Sequence, residues 1–310
     1  MDFGAINWVL LAASLMAAST PIVLAAIGEM VVEKSGVLNL GVEGMMITGA
    51  ICGFAVAVNS GSPAVGFLGA AVGGAVLSLI FGFLTQYLLA NQVATGLALT
   101  MFGLGLSALL GQSYQQLKAP ATQPLEIPVL SDIPVLGQIL FSHDVWVYLS
   151  LVIVAAVWAT LKYTRLGLVI RAVGESHDAA HALGYKVVRI RMACIAFGGA
   201  CAGLGGAYLS LVRVPQWVDG MTAGAGWIAL AIVVFASWRA GRVLLGAYLF
   251  GGVTVLQLNL QAAGFAIPVE YLSMSPYLIT ILVLVIMSAD RSRAALNAPA
   301  SLGKSFHASN

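Results

Sequence analysis

The sequence predicts an all-α membrane protein, a polytopic bundle of about nine transmembrane helices (eight to ten). Three observations carry this. Sixty per cent of the 310 residues are apolar and only 8% are charged, more apolar surface than a soluble domain of this size buries. Apolar runs approaching the ~20 residues that cross a hydrocarbon core recur along the whole chain. The charges gather between those runs: six of the 14 basic residues, Lys162, Arg165, Arg171, Lys186, Arg189 and Arg191, fall in the interval 162–191.

In chain order, the apolar runs place spans near 6–27, 43–58, 65–89, 94–111, 145–161, 192–212, 225–238, 243–260 and 276–289. The basic loop 162–191, the turn Arg239–Arg242 and the tail with Arg291, Arg293 and Lys304 are assigned to the cytoplasm, because positively charged loops stay inside. An odd number of spans then puts the N-terminus outside. The loop 112–144 becomes external, with Lys118, Glu126, Asp132 and Asp144, and prolines at 120, 124, 128 and 134 that favour a partly extended cap. Residues 1–290 form the transmembrane domain, and 291–310 are expected to be a flexible cytoplasmic tail. The first run follows Asp2 with no basic residue before it, so it reads as a retained span and not a signal peptide. Cys52, Cys194 and Cys201 lie in apolar runs and read as small buried hydrophobes. The expected location is the cell membrane, multi-pass.

The segment from Gly28 to Gly44 interrupts this pattern with Glu29, Glu33, Lys34, Asn39 and Glu43 among apolar residues and glycines. It reads either as a cytoplasmic turn with a solvated Glu33–Lys34 pair or as a broken helix. Irregular backbone at membrane depth is tolerated only where protein or a water-filled cavity surrounds it, and transporters build solute sites from such breaks. Gly199 and Gly203, like Gly69 and Gly73, have the four-residue spacing of close helix contacts and are expected to serve packing.

Catalytic chemistry finds little support. Ala298 to Ser305 fits a loose phosphate-loop pattern, but no strand precedes it and no helix follows to cradle a phosphate. His177 and His181 would share a helix face beside Asp178, yet with no third ligand nearby a solvated surface is the better reading. No metal site and no nucleic-acid partner are expected. If ATP drives the protein, another chain hydrolyses it.

The basic loop contains Asp178-Ala179-Ala180-His181-Ala182-Leu183-Gly184. This resembles the Glu-Ala-Ala-x-x-x-Gly coupling motif of ABC-importer permeases, with Asp in place of Glu. A short small-residue helix can press into a partner's groove, and glycine ends it through a left-handed cap. The block from Glu33 through Ser35, Gly36, Val37, Leu38, Asn39, Leu40, Gly41, Val42 and Glu43 to Met46 looks like the signature of nucleoside and simple-sugar permeases. These belong to the branched-chain amino acid and ribose permease group. Asn91 to Thr100, Arg171 to Glu175, Gly226 to Ala231, Leu245 to Gly251 and Pro276 to Thr280 are similar to further motifs of that group. The resemblance runs from about Pro21 to Met287. Arg239-Ala240-Gly241-Arg242 departs from it, since relatives tend to carry a proline-containing turn there.

The resemblance implies an ABC importer permease fold and a cytoplasmic ABC ATPase that binds ATP and Mg, so this chain itself needs no cofactor. It also implies a second related permease, a heterodimer being preferred, and an extracytoplasmic substrate-binding protein. By that analogy Asn39, Glu43, Gln92, Thr95 and Trp227 line the solute pathway, and Glu175, Asp178, Ala179, Ala180 and Gly184 couple to the ATPase. Asn39 and Gln92 offer donors and acceptors to ribose hydroxyls or a base edge. Trp227 can stack on a base or sit at the lipid interface, and Glu43 can cap a helix or pair with Lys34. Nucleosides are the preferred solute, with simple sugars or riboflavin as alternatives. An ion-coupled secondary transporter is the contrasting class, and it would need Glu29 and Glu43 as its membrane carboxylates.

Overall fold

The computed structural model describes residues 8–123, 125–126, 133, 136–262, 269–288 and 297–307. Asp2, Pro124, Pro128, Asp132, Pro134, Arg291 and Arg293, singled out in the sequence, lie outside them. Each predicted span coincides with a helix: α1 (Trp8–Lys34), α2 (Val42–Ser60), α3 (Pro63–Gly82) and α4 (Gln92–Gly111), with a short α5 (Leu136–Leu140) before α6 (Val145–Tyr163). Then come α7 (Arg165–Glu175) and α8 (His177–Ala182) in the basic loop, α9 (Val187–Tyr208), α10 (Ala225–Phe235), α11 (Ala240–Ala262) and α12 (Val269–Ser288). α3 and α9 each continue into one π turn, Phe83–Tyr87 and Leu209–Arg213.

Among the described residues, seven helices are long and apolar enough to cross a membrane. The 11-residue α10 is shorter, and α12 is a 20-residue helix with one charged residue, Glu270. The chain is a polytopic α-helical membrane protein. The minimal strand content is an antiparallel pair in the loop between α4 and α6, β1 (Leu125–Glu126) with β2 (Ser142–His143).

Polar residues mark the helix starts. Asn91 caps α4, Asp144 caps α6, Thr164 caps α7 and Ser176 caps α8, each side chain accepting a backbone N–H of the first turn. Asp144 also accepts the Tyr208 hydroxyl at 2.8 Å, tying α6 to α9.

The core is built from α1, α2, α3 and α9. Without water on either side, helices gain by close backbone approach, which small residues permit. A Cβ added at Gly203 would stand 2.2 Å from the carbonyl oxygen of Ala70, and one at Gly199 would meet Ser78 Oγ at 2.2 Å. The small-residue stripe of α9 is therefore the seam against α3, as its spacing predicts. Outward faces carry exposed apolar side chains such as Leu68, Val72, Met101, Val152 and Leu245, as lipid-facing surfaces do.

Lys34, Gln86, Arg191 and the tail residues Asn297 and Lys304 converge at one end of the bundle. Of the tail 291–310, the described residues 297–307 lie against this basic end: Ser301 N–H donates to Gly174 O at 2.9 Å and Gly303 N–H to Gly36 O at 3.2 Å.

Candidate functional site

α1 ends at Lys34, and the chain turns at Ser35 and Gly36. It then climbs back into the bundle without helical structure. Asn39 Nδ2 donates to Glu29 Oε2 at 3.4 Å. Glu29 is five residues before the end of α1, about 8 Å above it at 1.5 Å per residue. Asn39 Oδ1 accepts Gly41 N–H at 2.9 Å, closing the turn into α2. So α2 starts inside the bundle.

α10 starts at the same depth. Glu43, one residue into α2, is 3% exposed. Its carboxylate accepts Gly224 N–H at 2.9 Å, Gly226 N–H at 2.7 Å and the Thr222 hydroxyl. From there α10 descends to the level of Glu33, whose carboxylate accepts Trp238 Nε1–H. Its 11 residues span about 16 Å, roughly half of a ~30 Å hydrocarbon core. The other half is the irregular segment 214–224, held at the opposite end by the Lys118–Gln216 bridge. Two broken spans thus meet N-terminus to N-terminus, and one carboxylate answers both positive helix ends.

Gln92 joins this centre from α4. It is 4% exposed, and its Oε1 accepts Leu38 N–H at 2.8 Å while its Nε2 finds no partner. Thr100 Oγ1 donates to Leu40 O at 3.2 Å. The structure therefore brings Asn39, Glu43 and Gln92 together, but as the framework of the broken segment. Their side-chain oxygens hold backbone N–H groups. Thr95 is half-buried on α4, with its backbone N–H on Asn91 O. Trp227 is 43% exposed at the start of α10. Neither proposed pairing of Lys34 occurs: its Nζ donates to Asn297 O at 3.0 Å, and Glu33 is buried against Trp238.

A 210 Å³ cavity opens beside Glu43, lined by Thr222, Ala225, Phe250, Thr254, Gln257 and Tyr277. Phe250 and Tyr277 meet edge to face at 6.0 Å. Sequence reasoning assigned none of these residues to a site, because they come from α10, α11 and α12 and meet only in the fold. Phe250 and Tyr277 lie inside the motifs Leu245 to Gly251 and Pro276 to Thr280, and Thr254 and Gln257 are polar positions on an apolar helix.

At the basic end, α7 and α8 form a helical elbow. Glu175, Asp178 and Ala179 are exposed. Ala180 is buried with Val173, Val187 and Phe306. Gly184 has φ +88°, the left-handed conformation that ends a helix at glycine. Phe306 of the tail packs its ring edge to face against His177 and His181, at 5.4 and 5.2 Å. Burial and the neighbouring Arg191 guanidinium hold the His177 ring below the ordinary histidine range, against the opposing pull of Asp178.

Arg191 links all these parts. It is fully buried, and its guanidinium donates to Ser35 O at 3.2 Å, Gln86 Oε1 at 3.3 Å and Lys304 O at 3.1 Å, with His177 Nδ1 at 3.4 Å. The hinge below Asn39, the end of α3, the tail and α8 share one rigid planar cation. Such a fork positions groups bidentately, as a lysine does not.

Comparison with known proteins agrees with this architecture. Residues 11–287 match the family described as Branched-chain amino acid transport system / permease component. The putative glucose ABC transporter permease protein TsgC13 of Haloferax volcanii is 38% identical, covering 94% of this chain and 95% of that protein. The guanosine ABC transporter permease protein NupQ of Bacillus subtilis is 34% identical (95% and 97% covered). The nucleoside ABC transporter permease protein NupC of Lactococcus lactis is 32% identical (89% and 92% covered). Haloferax volcanii and Bacillus subtilis each hold a second, more distant match named for the same solute, 28% and 24% identical. No solved structure matches. The chain belongs to the branched-chain amino acid transport system permease family and is a permease subunit of an ABC transporter, a multi-pass protein of the cell membrane.

Proposed function

We propose that the chain carries nucleosides inward, with its basic end in the cytoplasm and its N-terminus outside. The observation that carries this is the cavity beside Glu43, where the Phe250–Tyr277 pair offers a stacking wall and Thr254 and Gln257 offer hydrogen-bonding groups. A planar base suits the first and ribose hydroxyls suit the second. Two of the similar permeases are named for nucleosides.

The cavity is 210 Å³, below the ~300 Å³ at which small-molecule sites begin. One chain supplies one wall, and a second permease supplies the other. The paired matches in two organisms support a related but distinct partner, and hence a heterodimer. ATP and Mg bind to a cytoplasmic ATPase that docks on Glu175, Asp178, Ala179 and Gly184, while an external binding protein delivers the solute. The chain itself hydrolyses nothing. ATP closure moves α7–α8, Arg191 carries the movement to Ser35, and the junction at Glu43 opens inward or outward. Such a switch requires solute and nucleotide each to favour one of two discrete states.

A glucose permease is the second reading, supported by the 38% identity to TsgC13. Uptake of labelled guanosine, uridine and glucose by cells with and without the gene separates the two. Loss of nucleoside uptake alone supports the nucleoside assignment. Loss of glucose uptake alone replaces it with the second reading.

A further inference from the structure

We propose that the chain holds one anionic phospholipid of the inner leaflet in a groove between α1, α6, α7 and α9. The groove has a volume of 510 Å³ and is walled by Val31, Ile153, Val157, Ile170, Cys194 and Phe197. Lys186 and Arg189 stand at one end of it. Both are exposed, and neither has an ion-pair or side-chain hydrogen-bond partner among the described residues.

Neighbouring residues fix the depth of this groove. Trp158 and Tyr163 are 46% and 67% exposed on α6, and the Lys162 ammonium lies 5.0 and 4.9 Å from their ring centres. Exposed aromatics beside a basic residue mark the membrane–water interface. α7 lies along the same level, with Leu166 and Leu168 exposed between Arg165 and Arg171, as in a helix resting in the headgroup layer. From Lys186 at the rim to Phe197 at the far end, α9 rises about 16 Å. That matches one leaflet of a ~30 Å hydrocarbon core. An acyl chain fills the apolar length while the two free cations meet the phosphate. Charge complementarity selects an anionic headgroup over a zwitterionic one, and basic pockets between helices on the cytoplasmic side have this preference. The groove opens beside the basic loop, so the lipid also packs against Leu166 and Ile170 of α7.

The test is lipid retention by the assembled importer in nanodiscs of phosphatidylethanolamine, with or without an equal part of phosphatidylglycerol, read by native mass spectrometry. The wild type is expected to retain phosphatidylglycerol in preference. Lys186→Gln and Arg189→Gln should each weaken retention about fivefold, while Lys162→Gln leaves it unchanged. Ala193→Trp, which fills the groove and leaves both charges, should abolish it. Equal retention of both lipids, no retention by the wild type, or indifference to the two charge removals would overturn the proposal. So would photocrosslinking of a benzophenone amino acid placed at Ala193 to the partner permease, since protein would then occupy the groove.

Discussion

The Glu43 carboxylate and the Gly226 backbone N–H, 2.7 Å apart across 183 residues of sequence, join the two broken spans of this permease. The bond is charge-assisted and shielded from water, the conditions under which a hydrogen bond contributes most. It sits next to the cavity proposed for the solute, so the junction of the two spans and the proposed pathway wall are one structure.

Glu43→Gln keeps the size of the side chain but points an NH2 at donors that need an acceptor. Hydrogen bonds to charged groups are worth about 1.5–3 kcal/mol, and two backbone donors depend on this one. Uptake should fall at least tenfold in a chain that still reaches the membrane, and the melting temperature of the purified importer should drop. Thermal unfolding and uptake on the same preparation check both.

Gly226→Ala should be as damaging for a steric reason. Its Cβ would lie 2.5 Å from Glu43 N and 2.6 Å from Glu43 Cα, with backbone that cannot yield. Gly241→Ala is the control, because nothing stands within 4 Å of a Cβ there. Uptake by the two variants, normalised to membrane level, decides it.

Arg191→Ala leaves Ser35 O, Gln86 Oε1 and Lys304 O without this donor. Unsatisfied buried groups cost roughly 1–3 kcal/mol each. Arg191→Lys restores the charge without the fork, so it should recover stability more than transport. ATP hydrolysis that no longer responds to solute would mark lost coupling. Full uptake by the lysine variant would show that charge alone suffices.

Ala179→Arg and Ala180→Arg should separate. Ala179 is exposed, so its variant should fold normally and fail only to retain the ATPase in pull-down. Ala180 is 2% exposed, so its variant should also loosen α8 and the tail from Val173 and Val187. Limited proteolysis of the tail reads that difference.

The tail should loosen on acidification. His177 has its pKa lowered by burial and by Arg191, relative to 6.5. The unfolded or undocked state then binds more protons, and docking, full above the ordinary value, weakens as pH falls through it. Protection of the Ser301 and Gly303 amides against exchange should drop between pH 7.5 and about 5.5. The drop should be absent in His177→Phe.

The spans were legible because hydropathy is local: each apolar run declares its own helix. The segment before Asn39 was legible as unusual, because Glu29, Glu33 and Glu43 stand out in an apolar context, but the sequence left a cytoplasmic turn and a broken helix both open. Its partner was not legible. Val214 to Gly224 falls between the predicted spans 192–212 and 225–238, and the bonds from Thr222, Gly224 and Gly226 to Glu43 show that it descends into the bundle. The contacts of the tail were not legible for the same reason. Ser301, Gly303 and Phe306 are held by Gly174, Gly36 and His177, contacts over more than a hundred residues that no local pattern encodes. Asn39 Oδ1 and Gln92 Oε1 each take a backbone N–H of the broken segment, a use no local pattern announces, while Gln92 Nε2 keeps its donors unpartnered.

The most direct measurement is guanosine uptake into proteoliposomes holding the assembled importer and its binding protein, with ATP supplied to the ATPase side and no ion gradient. ATP-dependent accumulation that is lost with Glu43→Gln is the expected result. Accumulation without ATP, driven by an imposed proton gradient, would contradict it.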